Sequence, residues 1–217
     1  MGVSPLQNQV MENTQVARFK IRKYLPLLII LVVTIILIER QKEAPPLPVL
    51  PAPQIKLISQ EMRAPNDERD FMLPDLSGEQ LNISDLKGRV VLLNFFATWC
   101  PPCRDEMPAI EEVFQTYRDK GFVVLGISRD EDGRKAVEPF VKEFSLTFPV
   151  VLDPEMQVFQ LYFVRGIPVT YLLDRQGRIA GMHIGPADWN GPEAQTLIEQ
   201  LLEESVVVGM KSNTTTN

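Results

Sequence analysis

Thiol and imidazole are scarce in this chain: 217 residues hold two cysteines and one histidine. So few thiols exclude a disulfide-stapled scaffold, which needs several well-separated pairs. They also exclude a closed structural zinc site, because Cys100, Cys103 and His183 supply at most three of the four ligands. A basic stripe is missing too. Residues 66–205 carry 24 acids against 13 bases, and the whole chain has a net charge of -6. Gripping a phosphate backbone depends on Lys and Arg displacing condensed counterions, so nucleic acid is not expected as a partner. Long apolar runs are reduced to a single stretch near the N-terminus.

That stretch, residues 25–38 (LPLLIILVVTIILI), contains no charge. Fourteen helical residues rise roughly 21 Å, short of a hydrocarbon core of roughly 30 Å. Tyr24 and Ile21 extend it, and Lys20, Arg22, Lys23 and Arg40 can snorkel to the interfaces. A cleaved signal peptide and a buried core helix are the alternatives; no small-x-small cleavage site directly follows the run. The expectation is an uncleaved transmembrane signal anchor over residues 24–40. Four bases precede the apolar run (Arg18, Lys20, Arg22, Lys23) and two closely follow it (Arg40, Lys42), which places residues 1–23 in the cytoplasm and the rest outside. Residues 41–65 include APPLPVLPAP, whose prolines remove donors and favour extended backbone, and read as a Pro-rich linker. Residues 206–217 read as a flexible tail.

Residues 66–205 have the pattern of one folded α/β domain. Val90 to Ala97 is apolar apart from Asn94, the signature of a strand buried on both faces. Met107, Ile110, Phe114 and Tyr117 then recur at helical spacing, with Pro108 expected to kink their helix. Phe122–Ile127 is a second buried strand. Val137, Phe140, Val141 and Phe144 form the inner stripe of a second helix, and Phe148–Leu152 a short extended piece. Val169–Leu173 and Arg178–His183 flank Asp174-Arg175-Gln176-Gly177 and read as an antiparallel hairpin. Leu197, Ile198, Leu201 and Leu202 mark a closing helix, entered through Asp188-Trp189 with Asn190 or Asp188 as its cap. The order βαβα then ββα is that of a mixed sheet covered on both faces.

The chemistry is concentrated in Trp99-Cys100-Pro101-Pro102-Cys103, where a strand ends and a helix begins. Proline suits the first helical turn, whose N–H groups have no intrahelical acceptor, so the two prolines point to a helix starting between the cysteines. Cys100 then faces the positive end of the dipole and Cys103 sits deeper, one turn in. A thiolate is the species that attacks a disulfide. A helix terminus worth about 0.3 to 2 kcal/mol lowers a thiol pKa from about 8.5 to near 7 at most. Pro101 and Pro102 donate no hydrogen bond to the sulfur, which predicts a weakly stabilised thiolate and therefore a reductant. No cofactor beyond the redox-active pair itself is required.

A Cys-x-x-Cys also occurs in zinc knuckles and metal chaperones. The surrounding segment LKGRVVLLNFFATWCPPCRDEMP, residues 86–108, resembles the extracytoplasmic thioredoxin-like family of ResA and TlpA type. The resemblance spans roughly residues 66–204. It includes Gly166-Ile167-Pro168-Val169-Thr170, similar to that family's cis-proline loop, and Tyr171-Leu172-Leu173-Asp174 with Gly177, similar to the hairpin that follows it. The resemblance implies a thioredoxin-like fold with Cys100 as attacking thiol, Cys103 as resolving thiol and Pro168 as a cis-proline facing them. Ile167 would present backbone to an extended client segment. Trp99, Pro101 and Pro102 would border the client, Trp99 serving equally well as a core aromatic on its sequence alone.

Glu106 follows Cys103 by three residues, on the same side of the helix. Taken alone it is a first-turn acid complementing the dipole. The resemblance implies instead a role in proton transfer at the cysteines. Asn94 favours that role, because it stands where ordinary thioredoxins keep a buried aspartate and an amide does not exchange a proton near neutral pH. His183 reads more readily as a satisfied strand residue than as a ligand.

The leading expectation is an extracytoplasmic thiol-disulfide oxidoreductase that reduces protein disulfides. The resemblance implies apocytochrome c as a client, through its Cys-x-x-Cys-His site. A reductant in an oxidising compartment also needs a membrane thiol-electron donor. The alternatives are a copper-site assembly protein or metallochaperone using the same thiols, a general disulfide donor, and an adhesion module that leaves the thiol pair without a task.

Overall fold

The computed structural model describes residues 26, 29–35, 49–65 and 69–204. The chain divides into two compact units, Met1–Leu47 and Pro48–Asn217. In the first, residues 29–35 are helical with exposed apolar side chains. Most of the expected anchor at 24–40, all of the tail at 1–23 and the tail at 206–217 lie outside the described residues. Among the described residues no helix is long and apolar enough to cross a membrane.

Among its described residues the second unit contains seven strands: β1 Met72–Pro74, β2 Gln80–Asn82, β3 Val90–Phe96, β4 Phe122–Ser128, β5 Val150–Leu152, β6 Val169–Leu173 and β7 Ile179–Ile184. Its helices are α1 Pro101–Tyr117, α2 Arg134–Glu143, α3 Gln157–Leu161 and α4 Pro192–Glu203. β1 and β2 form a small hairpin; the other five make one sheet in the order β5-β4-β3-β6-β7. β3 pairs parallel with β4 and antiparallel with β6, so the sheet is mixed. The buried strands at Val90–Ala97 and Phe122–Ile127 and the hairpin around Gly177 (φ 77°) form as their patterns predict.

Every residue of β3 is buried, because alternate side chains enter two cores. Leu92 and Phe96 pack with α1, α2 and α4, whereas Leu93 and Phe95 pack with α3, Tyr162 and Tyr171. Asn94 falls on the Leu92 face, under α1. This is a thioredoxin-like α/β fold, a mixed sheet flanked by helices.

α1 runs as one helix across Pro108. Two details depart from expectation. The closing helix begins after Gly191, which caps it without a side-chain hydrogen bond; Asp188 accepts from the Asn190 N–H instead. α3 has no sequence stripe long enough to announce it. It forms because the buried Asp153 carboxylate accepts the N–H groups of Gln157, Val158 and Phe159, which would otherwise be orphaned.

Residues 51–63, assigned by their prolines to the spacer, are built into the domain. Pro53 is buried and Ile55 and Leu57 pack on the core at two-residue spacing, while Gln54, Lys56 and Ile58 point outward. Ile58 N–H donates to Ala180 O of β7 (2.8 Å), and Asp188 N–H donates to Pro51 O (2.7 Å). Gly181 is required there: a Cβ would stand 2.6 Å from Ile55 Cγ2. The strap ends in Arg63, whose guanidinium donates to Asp174 (3.1 Å) and Glu204 (2.5 and 2.7 Å). Arg63 and Asp174 side chains are each 1% exposed. Removing one partner of a buried ion pair costs about 3 to 5 kcal/mol. Arg178 also pairs with Asp174, so Arg63→Met is expected to cost about 3 kcal/mol in urea unfolding, the lower end of that range. A loss under about 0.5 kcal/mol, typical of surface sites, would show the strap to be dispensable.

Candidate active site

β3 ends at Phe96 and the chain turns through Ala97–Trp99 into α1. Asp130 fixes this turn, accepting from Thr98 N–H (3.0 Å) and from the hydroxyls of Thr98 (2.6 Å) and Ser128 (2.7 Å). Arg104 ties it from the helix side, donating to Thr98 O (3.2 Å), pairing with Glu143 and lying over the rings of Phe140 and Phe144.

Cys100 is the N-cap of α1, with Pro101 and Pro102 in the first turn as their ring geometry favours. Its Sγ accepts from Cys103 N–H at 3.3 Å, so one of the orphan donors at the helix start points at this sulfur. The two sulfurs are joined as a disulfide. Cys103 is fully buried and Cys100 is 4% exposed. Trp99 is 62% exposed with the Arg129 guanidinium over its ring, so it is a surface aromatic and not part of the core. Pro101 is exposed and Pro102 half-buried.

The Ile167-Pro168 bond is cis. Ile167 O lies 4.0 Å from Cys100 Sγ, so the loop expected to face the cysteines does face them. Pro168 is buried and Ile167 half-buried. Gly185 N–H donates to Pro168 O, which ties the loop to the end of β7.

Glu106 is fully buried one turn beyond Cys103. Its Oε1 accepts from Asn94 Nδ2 at 2.8 Å, and its Oε2 from Ala187 N–H and the Trp189 indole, both at 3.2 Å. Burial pushes the carboxyl from an ordinary 4.5 up to about 7, against the opposing pull of those three hydrogen bonds. Glu106 lies beyond the first turn of α1, which holds no acid, and the dipole effect fades within that turn, so the simpler role does not describe this residue.

Three groups around Glu106 escape a reading of the sequence. Trp189, at the entry to the last helix, is 1% exposed and aims its N–H across 83 residues of chain. Thr170, paired with Asn94 in the β3–β6 register, accepts from the same amide at 2.9 Å. Ala187 contributes only backbone. The signal available was the rule that a buried indole N–H needs an acceptor. His183 is buried edge-on to Trp189, and its Nδ1 accepts from Gln54 N–H of the strap at 3.1 Å. Burial pushes its pKa down. Among the described residues no group of three or more His, Cys, Asp or Glu side chains is arranged to hold a metal ion.

A Cys-x-x-Cys at a helix start, faced by a cis-proline and underlaid by a carboxylic acid poised near neutrality, can exchange electrons and protons with another disulfide. Known proteins place the chain accordingly. A thiol-disulfide oxidoreductase ResA of Bacillus cereus is 36% identical over 126 residues, 58% of this chain and 72% of that protein. Thioredoxin-like protein YneN of Bacillus subtilis is 44% identical over 117 residues, 54% of this chain and 68% of that protein. Among solved structures, StoA from Bacillus subtilis aligns with a TM-score of 0.50 at 30% identity, over 60% of this chain and 94% of its own. A thiol:disulfide interchange protein of the thioredoxin family from Chlorobium tepidum TLS aligns with 0.53 at 28% identity, over 71% and 99%. Residues 64–182 match the AhpC/TSA family, and with these relatives beside that match the chain belongs to the AhpC/TSA family as a ResA-like thiol-disulfide oxidoreductase.

Proposed function

We propose that the chain reduces protein disulfides outside the cytoplasm, tethered to the membrane by residues 24–40. The observation that carries the reading is Glu106: a carboxyl buried beneath the cysteine pair with a pKa near 7 can take a proton from a thiol and return it at the same pH.

The Cys100 thiolate attacks one sulfur of the client disulfide. The client S–S bond breaks, a mixed disulfide forms and the second client sulfur leaves as thiolate. Cys103 passes its proton toward the Glu106 carboxylate and attacks Cys100 Sγ as thiolate. The mixed disulfide breaks, two electrons have moved to the client, and the chain is left with the Cys100–Cys103 disulfide. The three hydrogen bonds of Glu106 run to Asn94, Ala187 and Trp189, so the proton would cross from Cys103 by a relay and not along one of them. Ile167 and Pro168 would align an extended client segment, with Trp99, Pro101 and Pro102 at its border.

The direction of flow rests on what stabilises the Cys100 thiolate. Pro101 and Pro102 offer no N–H, leaving the 3.3 Å contact from Cys103 N–H. A thiolate with so little support holds electrons weakly and gives them up. Apocytochrome c is the client proposed, on the resemblance to the ResA and TlpA type, with a membrane thiol carrier as electron donor. Equilibration of the full chain with glutathione tests the direction. The potential is expected well below the strong-oxidant value of about -120 mV, and the reduced chain is expected to reduce insulin. A potential near that value would make the chain a disulfide donor instead.

A further inference from the structure

Glu106 touches one side chain able to answer both of its protonation states, and that side chain is Asn94. As the structure stands, Asn94 Nδ2 donates to Glu106 Oε1 and to Thr170 Oγ1, while Asn94 Oδ1 is buried without a hydrogen-bond partner. This arrangement suits a carboxylate, which accepts only. It does not suit the acid. Oε2 already faces two N–H groups, so a proton must reside on Oε1, where it would meet the Asn94 NH2, donor against donor.

A half-turn of the amide removes the conflict. Oδ1 then takes the place of Nδ2 and accepts from the Glu106 O–H, and the Thr170 hydroxyl, which can donate or accept, rotates to donate to it. One amide atom lacks a partner in either orientation, Oδ1 before and Nδ2 after, so that cost cancels between the two states. We propose that Asn94 is a positioning residue whose amide turns over with the proton on Glu106, donating to the carboxylate and accepting from the acid.

The inference rests on the proton-transfer reading of Glu106. An aspartate here would face Glu106 as a second carboxyl, and a leucine could serve neither state. The groups around Glu106 are few. Its own helix supplies Cys103; β3 supplies Asn94; β6 supplies Thr170; the segment after β7 supplies the Ala187 N–H and the Trp189 indole; and β7 sets His183 against the far face of Trp189. Among the described residues no second carboxylate and no cationic side chain hydrogen-bonds to Glu106.

The test uses the full chain in detergent, with its asparagine side-chain amides labelled for NMR and the Asn94 signals identified by their loss in Asn94→Asp. The Asn94 amide protons are expected to shift with pH at the midpoint of Glu106 and to stop shifting in Glu106→Gln. Asn94→Asp keeps shape and volume and is expected to divide the single Glu106 step of insulin reduction into two, the upper one raised by about 1 to 3 pH units as two carboxyls share a proton. Asn94 amide signals that stay constant while Glu106 titrates, or an Asn94→Asp profile that superimposes on the parent, would overturn the inference and leave the role of Glu106 intact. A Glu106→Gln chain with the parent pH profile would instead remove the reading beneath it.

Discussion

Cys103→Ser is expected to halt turnover and leave the client attached to Cys100 as a mixed disulfide, recovered as a dithiothreitol-sensitive adduct on non-reducing gels. The reason is positional. Cys100 caps α1 beside the cis-proline loop, whereas Cys103 has no exposed surface and can reach a foreign sulfur only through Cys100. Serine preserves the 103 N–H that points at Cys100 Sγ, so the attacking thiol keeps its donor while its resolving partner is gone. Cys100→Ser is expected to form no adduct, since the remaining sulfur lies beneath the surface. Adducts of equal yield from both variants would mean that the cysteines are interchangeable and that the depth difference is without consequence.

Glu106 is expected to make the fold less stable as pH rises. Its carboxyl ionises near 4.5 in the unfolded chain and at about 7 in the folded one. Between those values the folded state binds the extra proton, so stability decreases with pH. The contribution is fully present below 4.5 and is lost as pH passes through 7, and the gap corresponds to about 3 kcal/mol. His183 acts with the opposite sign, because burial lowers its pKa and protonation at low pH is what costs stability. Comparison of urea unfolding for the parent and for Glu106→Gln from about pH 5 to 8 isolates the glutamate, because the histidine is common to both. The parent is expected to lose about 3 kcal/mol relative to the variant over that range. Parallel curves would show that the carboxyl is solvated and ionised throughout.

The sheet was legible because its strands announce themselves locally. Val90–Ala97 and Phe122–Ile127 are too uniformly apolar for anything but doubly covered strands, and Gly177 marks the hairpin turn. The reactive pair was legible for a related reason: cysteines and prolines at a strand-to-helix junction carry their meaning within five residues. What escaped is what depends on tertiary closure. The prolines of residues 44–53 have the composition of a spacer, yet Ile55 and Leu57 beside them find a groove over Gly181 that only the folded sheet creates. Trp189 lies far along the chain from Glu106, and no periodicity links them. α3 depends on a buried Asp153 that cannot be told from a surface turn acid by its neighbours in sequence.

The same division explains the site. Sequence identifies Glu106 as an acid one turn from Cys103, but an acid near a helix start is ordinarily solvated. Its meaning comes from α1 pressing it onto Asn94, where β3 meets β6, and from the segment after β7 closing over it with the Ala187 N–H and the Trp189 indole. Burial raises the pKa while three donors restrain it, and the balance falls where a thiol proton can be exchanged in either direction.

The pH dependence of insulin reduction by the reduced full chain, measured beside Glu106→Gln, bears most directly on that balance. The parent rate should rise with pH through a midpoint near 7 as the buried carboxyl becomes able to accept the Cys103 proton, and the glutamine variant should lack that limb and run slower above it. Superimposed profiles with equal rates would show that the proton leaves by another route and that the acid beneath the cysteines is a bystander.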